Sequence, residues 1–412
     1  MRATDFTRER GLPWPVVILV MVRGQKVSLQ TAVNKFFSAL GEGWRVVTAS
    51  AYRQARQKVQ PEVFVHLNTV ACEEYYARYE AEVGLWQGHR VLGMDGSYLN
   101  SPATEETRQA VSVQTNPYPG AAQAQALASV RYDLRNEVGL SAALGPKRAE
   151  KNQLFATHGA VTRRGDVLVC DRAYADYRVM AMLLAWQCHF VVRFPRQSFT
   201  AVNAFWTSPA QERVVTLTVP VSARAYVTEQ QLATMLRVRL LKVQLPSGEV
   251  EVRGTDLLDA RRYPAAEFKV GYGWRWHQET DQDRLKNSFE VARFRGKSAQ
   301  AIKRDVYGVI FLATLERMLS KPAQAELTAQ GTTRACRTAP QVNRAVSDVP
   351  VLDHIVQLLH DPHRSSASTL AAIERLVLTS PTRCRPGRHF PRRKRSAAFR
   401  LRFAKYGKRL VA

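Results

Sequence analysis

One short stretch of the sequence, Y-G-W-R-W-H-Q-E-T-D-Q-D-R-L-K, places chemically active side chains at intervals of three, four and seven residues. They are Tyr272, Arg275, Glu279 and Lys286. An α-helix turns about 100° per residue, so all four would lie on one stripe of a helix, within about 60° of each other. The stripe mixes one acid with two bases, unlike the apolar face by which a helix packs on a core. A solvated face with an Arg–Glu pair is the simplest interpretation.

Two further acids follow short apolar segments that are typical of buried strands. Asp95 ends H-R-V-L-G-M-D, and Asp171 ends D-V-L-V-C-D. Functional groups gather at the carboxyl ends of strands in open α/β sheets, although an Asp there also starts turns. With Glu279 these acids supply three carboxylates for two Mg²⁺ ions, which prefer oxygen ligands. Two such ions about 3.5–4 Å apart can hold the attacking and leaving oxygens of a phosphodiester, and Arg275 and Lys286 would face that phosphate.

The composition indicates a globular chain that binds a polyanion. Among 412 residues, 60 are Lys or Arg and 35 are Asp or Glu, a formal charge of +25, and 45% are hydrophobic. Nucleic acid is the usual partner of so basic a protein. The five cysteines have no C-x-x-C spacing, which favours reduced thiols in a cytosolic protein over a zinc ribbon or a disulfide framework. The longest purely apolar run, V-V-I-L-V-M-V, is too short to span a membrane.

The N-terminal region reads as helical and basic. The segment 47–59 predicts a helix with Thr48 or Ser50 as its N-cap. Its exposed faces would carry three basic residues, Arg53, Arg56 and Lys58. A preceding helix and the turn G-E-G suggest a helix-turn-helix-like DNA reader. An ordinary helical bundle with a basic surface fits the local pattern equally well.

The remaining chain reads as a mixed α/β sheet with a β-rich insertion. Strands are predicted around V-L-G-M-D, at 126–134, in V-G-L-S-A-A-L-G, at 166–171 and in H-F-V-V-R-F-P. Helices are predicted at 147–160, through M-A-M-L-L-A-W and at 298–319. The insertion would hold the strands R-V-V-T-L-T-V-P, L-R-V-R-L-L-K-V-Q-L and F-K-V-G-Y, with P-S-G as a hairpin turn. Five regions are expected along the chain. They are a helical DNA-binding region at 1–85, the first part of the catalytic core at 86–196, the β-rich insertion at 197–270, the core helices that carry the Glu at 271–320, and a basic, partly disordered C-terminal region at 321–412.

In this order of motifs the chain resembles the DDE transposases of bacterial insertion sequences, specifically the IS-four type. The resemblance rests on the Y-(2)-R-(3)-E-(6)-K spacing from Tyr272 to Lys286 and on D-G-S at 95–97. It also rests on D-R-A-Y at 171–174, where Ala173 replaces the usual glycine. The opening D-F-T-R-E-R-G-L-P-W is similar to the family's, and the likeness extends from residue 5 to about 318.

The resemblance implies a ribonuclease H-like catalytic core with a β-rich insertion, preceded by an α-helical DNA-binding domain. Asp95, Asp171 and Glu279 would ligate two Mg²⁺ ions, for which Mn²⁺ is expected to substitute. Four residues would bind DNA phosphates: Tyr272, Arg275, Lys286 and Arg172. A flipped base would stack on one of three tryptophans, Trp206, Trp274 or Trp276.

The resemblance also implies the partners and the place of action. The enzyme would bind the terminal inverted repeats of its element, cleave there and join the ends to target DNA. A homodimer in the DNA synaptic complex, no membrane association and a nucleoid-associated location in the bacterial cytoplasm are expected.

Two other functions share features of this sequence. A catalytically inactive, transposase-derived DNA-binding protein would explain the charge but does not require three ordered carboxylates. A metal-dependent DNA nuclease without strand transfer would share the site but needs no joining activity. A tyrosine recombinase is disfavoured because its Arg-His-Arg set is not seen around the tyrosines. The nine histidines show no H-E-x-x-H pair that would indicate zinc hydrolysis.

Overall fold

The structure is a computed structural model of the chain. It describes residues 12–23, 27–41, 46–102, 104–110, 112–114, 123–146, 151–245, 248–274, 294, 296–333, 340–344, 347, 354, 358 and 366–382. Arg275, Glu279 and Lys286 lie outside these residues, and so does Trp276. The side chain of Tyr272 is not described either, although its backbone is.

The described residues form one mixed sheet of nine strands, which confirms the predicted α/β class. The strands are β1 Val91–Ser101, β2 Ser112–Gln114, β3 Gln123–Asp133, β4 Val138–Pro146, β5 Val167–Cys170, β6 His189–Phe194, β7 Glu212–Thr218, β8 Met235–Gln244 and β9 Val250–Thr255. Their order is β2-β3-β1-β5-β6-β9-β8-β7, with β4 also paired to β3. β1, β5 and β6 are parallel, and the other pairings are antiparallel. The strands of the β-rich segment therefore extend the same sheet through the β6–β9 pair.

Helices cover both faces of this sheet and build the N-terminal region. They are α1 Trp14–Arg23, α2 Leu29–Ala39, α3 Ala49–Lys58, α4 Glu62–Arg78, α5 Glu105–Ala110, α6 Lys151–Ala156, α7 Tyr177–Ala185, α8 Thr200–Thr207, α9 Arg224–Glu229, α10 Ala265–Gly273, α11 Ala299–Thr333 and α12 Ser366–Leu378. None of the helices in the described part of the chain has the length and apolar character that crossing a membrane demands. Three cysteines there are free and buried, as predicted: Cys72, Cys170 and Cys188.

Successive side chains of a strand point to opposite faces of the sheet, and each face of the central strands packs in its own apolar core. On one face, Leu92, Leu168 and Phe190 pack with α7 and the strands of the β-rich segment. On the opposite face a cluster includes Val91 and Val169 together with residues of α10. The second face is the one that concerns the candidate site, because it carries the acids that follow these strands.

The long helix α11 joins the N-terminal helices to the sheet. Its buried residues include Ile302, Val306, Ile310 and Leu312, which were predicted to be apolar. They share a core with α1, α2 and α12. The helix runs to Thr333, beyond the predicted end at 319, and α12 packs against it. Part of the chain after residue 320 therefore belongs to the packed core.

Two element predictions were wrong. β1 does not end at Asp95 but continues to Ser101, because β3 pairs with it from Leu92 to Ser101. F-K-V-G-Y is not a strand: it lies in α10, which begins after Pro264 with Ala265 and carries Glu267 in its first turn, both favourable at a helix start. The helix predicted at 147–160 is confirmed in part, as α6 and a 3-10 turn at Gly159–Val161, and residues 147–150 lie outside the described residues.

Candidate active site

Asp95 and Asp171 occupy corresponding positions on two neighbouring parallel strands. The register of β1 and β5 pairs Val91 with Val167 and Gly93 with Val169. Continuing it by two residues places Asp95 beside Asp171. Asp171 follows the last residue of β5 with an extended backbone, φ −75° and ψ 175°, so the alternation of side chains carries on to it. Both acids thus lie on the sheet face that carries Val91 and Val169.

The position of Asp95 within its strand explains why the site is open. β5 leaves β1 after Gly93, whereas β3 continues to pair with β1 as far as Ser101. The carboxyl end of β5 thus creates a gap beside β1 where Asp95 lies. Both acids are partly exposed there. A strand that continues past its neighbour is a feature that a pattern of single strands does not reveal.

Local backbone bonds fix the orientation of both carboxylates. Asp95 Oδ1 accepts from the backbone N–H of Gly96 at 2.8 Å. Asp171 Oδ1 accepts from the backbone N–H of Ala173 at 2.8 Å and so caps the 3-10 turn Arg172–Tyr174. Each carboxylate is therefore oriented in part by the chain that follows it.

The tyrosine of D-R-A-Y packs on the sheet face opposite to the two acids, in the core that contains Met94 and Cys170. Tyr174 is buried, and its hydroxyl oxygen is 3.7 Å from the point that a Cβ on Gly96 would occupy. Burial raises the pKa of Tyr174, and the charges of Asp95, Cys170 and Asp171 raise it further. The hydroxyl therefore stays protonated. The sequence pattern assigned no role to this tyrosine.

A buried cation lies on the other face of the sheet, directly behind the site. Arg131 is fully buried on β3 and is paired in register with Met94, the residue before Asp95. It donates to Thr162 Oγ1 at 2.8 Å and lies 4.9 Å from the Phe155 ring centroid. Burial lowers the pKa of Arg131 to about 10. No sequence signal distinguished this arginine, because Arg in an alternating strand is usually exposed.

Helix α10 leads the chain to the same face as the acids. Phe268 and Trp274 pack in the cluster that contains Val91 and Val169. Arg135 covers the Trp274 ring at 4.6 Å. Glu279 follows Trp274 by five residues and lies outside the described residues. The structure thus brings together Asp95 and Asp171, and the third predicted acid stays a prediction.

The predicted phosphate-binding residues fall into two groups. Arg172 is exposed immediately after Asp171, a position from which it can reach a bound polyanion. Tyr272 belongs to α10 by its backbone, and its side chain is not described. The positions of Arg275 and Lys286 lie outside the described residues, so their roles stay predictions.

The helix that was predicted to read DNA is present as α3, but one of its three basic residues was wrongly predicted to be exposed. Thr48 caps α3, its Oγ1 accepting from Ala51 N at 3.1 Å, as predicted. Arg53 and Lys58 are exposed, but Arg56 is buried at 7% exposure. Its position on the same face as the buried Tyr52 turns it toward α11, where Arg304 donates to the Arg56 carbonyl at 2.8 Å. Arg56 therefore cannot belong to an exposed basic face.

Two of the three candidate stacking tryptophans are described, and both are packed. Trp206 lies on α8 against the core of the first face, with the exposed Arg196 at 5.2 Å from its ring. Trp274 contacts Trp86 with ring centroids 6.3 Å apart. Trp274 likewise has an exposed arginine near its ring, Arg135 at 4.6 Å, so this contact does not distinguish the two candidates.

The acids fit a divalent metal ion by their chemistry. Mg²⁺ and Mn²⁺ prefer carboxylate oxygens, and Mg²⁺ is usually held by one or two carboxylates together with substrate phosphates. Asp95 and Asp171 supply two such groups at the open end of β5. Within the described ranges, no group of three His, Cys, Asp or Glu residues could hold a metal ion. The third predicted ligand, Glu279, lies outside these ranges and stays a prediction.

Comparison with known proteins identifies the family. None of the curated proteins compared with the chain matches it. One solved structure, described as a piggyBac transposase synaptic complex with hairpin DNA, is weakly similar, with a TM-score of 0.44 and 8% identity. The match covers 88% of this chain and 74% of that chain. The family model of the transposase DDE domain matches residues 109–315, half of the chain. This range includes Asp171 and Glu279, and Asp95 precedes it. The chain belongs to the DDE transposases.

Proposed function

We propose that this chain is a DNA transposase of the IS-four type, which cleaves the ends of its insertion sequence and joins them to target DNA. The observation that supports the proposal is the parallel register of β1 and β5, Val91 with Val167 and Gly93 with Val169, which leads toward Asp95 and Asp171 on the face that α10 contacts. The Y-R-E-K spacing then accounts for the third acid, Glu279, on the chain that follows α10. The ribonuclease H-like description of the core belongs to the same proposal.

Asp95, Asp171 and Glu279 would hold two divalent metal ions, Mg²⁺ with Mn²⁺ as substitute. Bound there, the metal would supply an activated water or DNA 3′-hydroxyl and would stabilise the leaving oxygen. The protein itself orients the carboxylates. Backbone N–H groups hold the two aspartates, and Tyr174 packs behind them on the opposite face of the sheet.

DNA would be bound by basic residues on both sides of this site. Arg172, Arg275 and Lys286, together with Tyr272, would contact phosphates near the cut. The exposed Arg53 and Lys58 on α3 would contact the terminal repeat. Trp206 and Trp274 are both candidates for stacking on a flipped base, because an exposed arginine that can pair with a phosphate lies over each ring. A homodimer on two DNA ends, acting at the bacterial nucleoid, completes the proposal.

The test is cleavage and joining of labelled DNA that carries the ends of the element, with Mg²⁺. We expect wild type to nick and join, and Glu279→Gln to bind the same DNA with unchanged affinity while cleavage falls by more than about 100-fold. Asp176→Asn is the matched control: Asp176 caps α7 five residues after Asp171 and pairs with Arg178 at 2.9 Å. It should cleave normally.

Each alternative function has its own outcome in this assay. Equal binding without cleavage by wild type would identify an inactive DNA-binding relic. Cleavage without joining to a second DNA would identify a nuclease. Cleavage by Glu279→Gln at the wild-type rate would contradict the assignment of the third acid.

A further inference from the structure

Two buried arginines of the β-rich segment contact the helix that leads to Glu279. Arg239 on β8 has 0% exposure and Arg253 on β9 has 3%. Arg253 Nη1 donates to the Phe268 carbonyl in α10 at 2.6 Å. Arg239 Nη1 donates to the Tyr263 carbonyl just before α10 at 2.7 Å, and its guanidinium carbon lies 5.6 Å from the Phe268 ring centroid.

Carboxylates of the β-rich segment form ion pairs with both arginines. Arg239 makes two bonds to the Glu212 carboxylate of β7, at 2.7 and 3.0 Å. Arg253 Nη2 donates to Glu251 Oε2 at 2.9 Å, and Glu251 is itself buried at 5% exposure. Each arginine therefore links a carboxylate of the β-rich segment to a backbone carbonyl at α10.

Buried ion pairs are a poor way to gain stability, since apolar residues of similar volume stabilise a core equally well or better. Leu241, the register partner of Arg253 on β8, shows that this face accepts such residues. Two arginines in this place instead give directional bonds to fixed carbonyl atoms. Such bonds define where α10 lies more narrowly than apolar contacts do.

The opposite side of α10 is fixed by the core of the protein. Trp86, which precedes β1, donates from Nε1 to Glu267 Oε2 at 2.8 Å. Phe268 and Trp274 pack in the cluster that contains Val91 of β1 and Val169 of β5. The helix thus contacts both the β-rich segment and these two strands, and in the sequence Glu279 follows it by six residues.

We propose that Arg253 and Arg239 are positioning residues, through which the β-rich segment holds α10, the helix that precedes Glu279 in the sequence, against the strands that lead to Asp95 and Asp171. This inference rests on the proposed function of the three acids. It gives the β-rich segment a part in aligning the catalytic groups, separate from any contact with DNA. A displacement of about 1 Å in a catalytic group can reduce the rate about 100-fold.

The test compares Arg253→Met with Arg193→Met. Arg193 Nη1 contacts Glu251 Oε1 at 2.9 Å, so the two arginines share one carboxylate, and Arg253 is the one that reaches α10. In either variant Glu251 keeps one cationic partner. For Arg253→Met we expect DNA-end affinity within about twofold of wild type and a cleavage rate at saturating DNA reduced about 10- to 100-fold. Arg193→Met should cleave like wild type.

Hydrogen exchange provides a readout that does not depend on activity. In Arg253→Met the amides of 265–274 should exchange at least about tenfold faster, while those of β8 and β9 keep their protection. If Arg253→Met does not fold, Arg253→Lys replaces it, because a lysine keeps the charge at Glu251 but lacks the planar fork that reaches both acceptors.

Two results would overturn the inference: normal cleavage by the Arg253 variant, or an equal loss of cleavage in Arg193→Met. Its failure can be separated from failure of the proposed function. Active Glu279→Gln refutes the role of Glu279, whereas inactive Glu279→Gln with fully active Arg253→Met refutes only the positioning role.

Discussion

The Tyr174 hydroxyl lies against Gly96, the residue that follows Asp95. A Cβ on Gly96 would be 3.7 Å from this oxygen and 3.1 Å from Leu127 Cδ1. Glycine thus lets the tyrosine of D-R-A-Y approach β1 closely. The contact joins the strand of the first acid to the turn capped by the second, and it links D-G-S to D-R-A-Y in physical terms.

Replacing this glycine should disturb the site more than the fold. In Gly96→Ala the new methyl group must displace Leu127 by a few tenths of an ångström, at a cost of about 1–3 kcal/mol in the free energy of unfolding. We expect cleavage to fall by at least about tenfold while DNA-end binding is kept. Urea denaturation and single-turnover cleavage measure the two effects.

A second substitution serves as the control for Gly96→Ala. Leu127→Val removes the methyl group that the new Cβ would meet, so the double variant should recover part of the lost stability relative to the sum of the single variants. Additive losses would show that the crowding at Leu127 is not the cause.

Of the three basic residues of α3, the two exposed ones should affect DNA binding and the buried one should affect stability. Arg53→Ala and Lys58→Ala should weaken binding to element-end DNA and lower the salt slope of binding by about one each, since each removes one exposed phosphate contact. Their melting temperatures should not change. Arg56→Ala should lower the melting temperature, because Arg56 is buried against the start of α11. Binding titrations at several salt concentrations and thermal melts separate these effects. An unchanged salt slope for both exposed variants would refute α3 as a DNA-contacting helix.

Acid stability should depend on His158. This residue is buried at 1% exposure between Ser129 Oγ and Ser141 Oγ, at 3.0 and 2.5 Å from its ring nitrogens. Burial, followed by the charge of Arg131, holds the pKa of His158 well below its usual value of 6.5. Below its usual pKa, His158 is therefore protonated in the unfolded chain but stays neutral in the folded chain. The contribution of neutral His158 to the free energy of unfolding is complete above about pH 6.5. It is lost as the pH falls toward the pKa of the folded state, by up to about 1.4 kcal/mol per pH unit.

His158→Gln should remove this dependence. We expect the difference in unfolding free energy between wild type and variant to shrink as the pH is lowered from 7 to 5, measured by urea denaturation at each pH. Comparison with the variant cancels the contributions of other groups. A difference that does not change over this range would mean that His158 is protonated in the folded state.

The chain after residue 333 is tied to the core by a buried ion pair. Arg344 Nη1 donates to both carboxylate oxygens of Glu316, each at 3.0 Å, and Glu316 has 0% exposure. Arg344→Met leaves this carboxylate buried without its cation and should cost about 3–5 kcal/mol of unfolding free energy. Adding Glu316→Gln should recover part of this loss in the same denaturation assay. A variant as stable as wild type would show that the segment around Arg344 is not needed for the fold.

Patterns that depend on neighbouring residues were sufficient for much of the fold. Alternation predicted β3, β7 and β8, and the Thr48 cap predicted the start of α3. The acid after β5 was identified because a short apolar run ends there. These features are set by local preferences that the sequence states directly.

Features that depend on distant segments could not be predicted in this way. The full length of β1 follows from its pairing with β3, and a single-strand pattern carries no information on that partner. Arg56, Arg131 and Arg253 look like surface residues, but each is buried in a contact with another element. F-K-V-G-Y has β-forming residues, and the preceding Pro-Ala-Ala-Glu instead starts a helix.

The most direct test of the metal site is cleavage of the protein's own backbone by hydroxyl radicals generated at bound Fe²⁺, which occupies Mg²⁺ sites of this oxygen-rich kind. With element-end DNA present, we predict fragments cut near residues 95, 171 and 279, suppressed by excess Mg²⁺. Asp171→Asn should abolish the fragments from all three positions, and Asp176→Asn should leave these fragments unchanged. Cuts that do not include the neighbourhoods of Asp95 and Asp171, or that persist in Asp171→Asn, would contradict the proposal that these residues form one metal site.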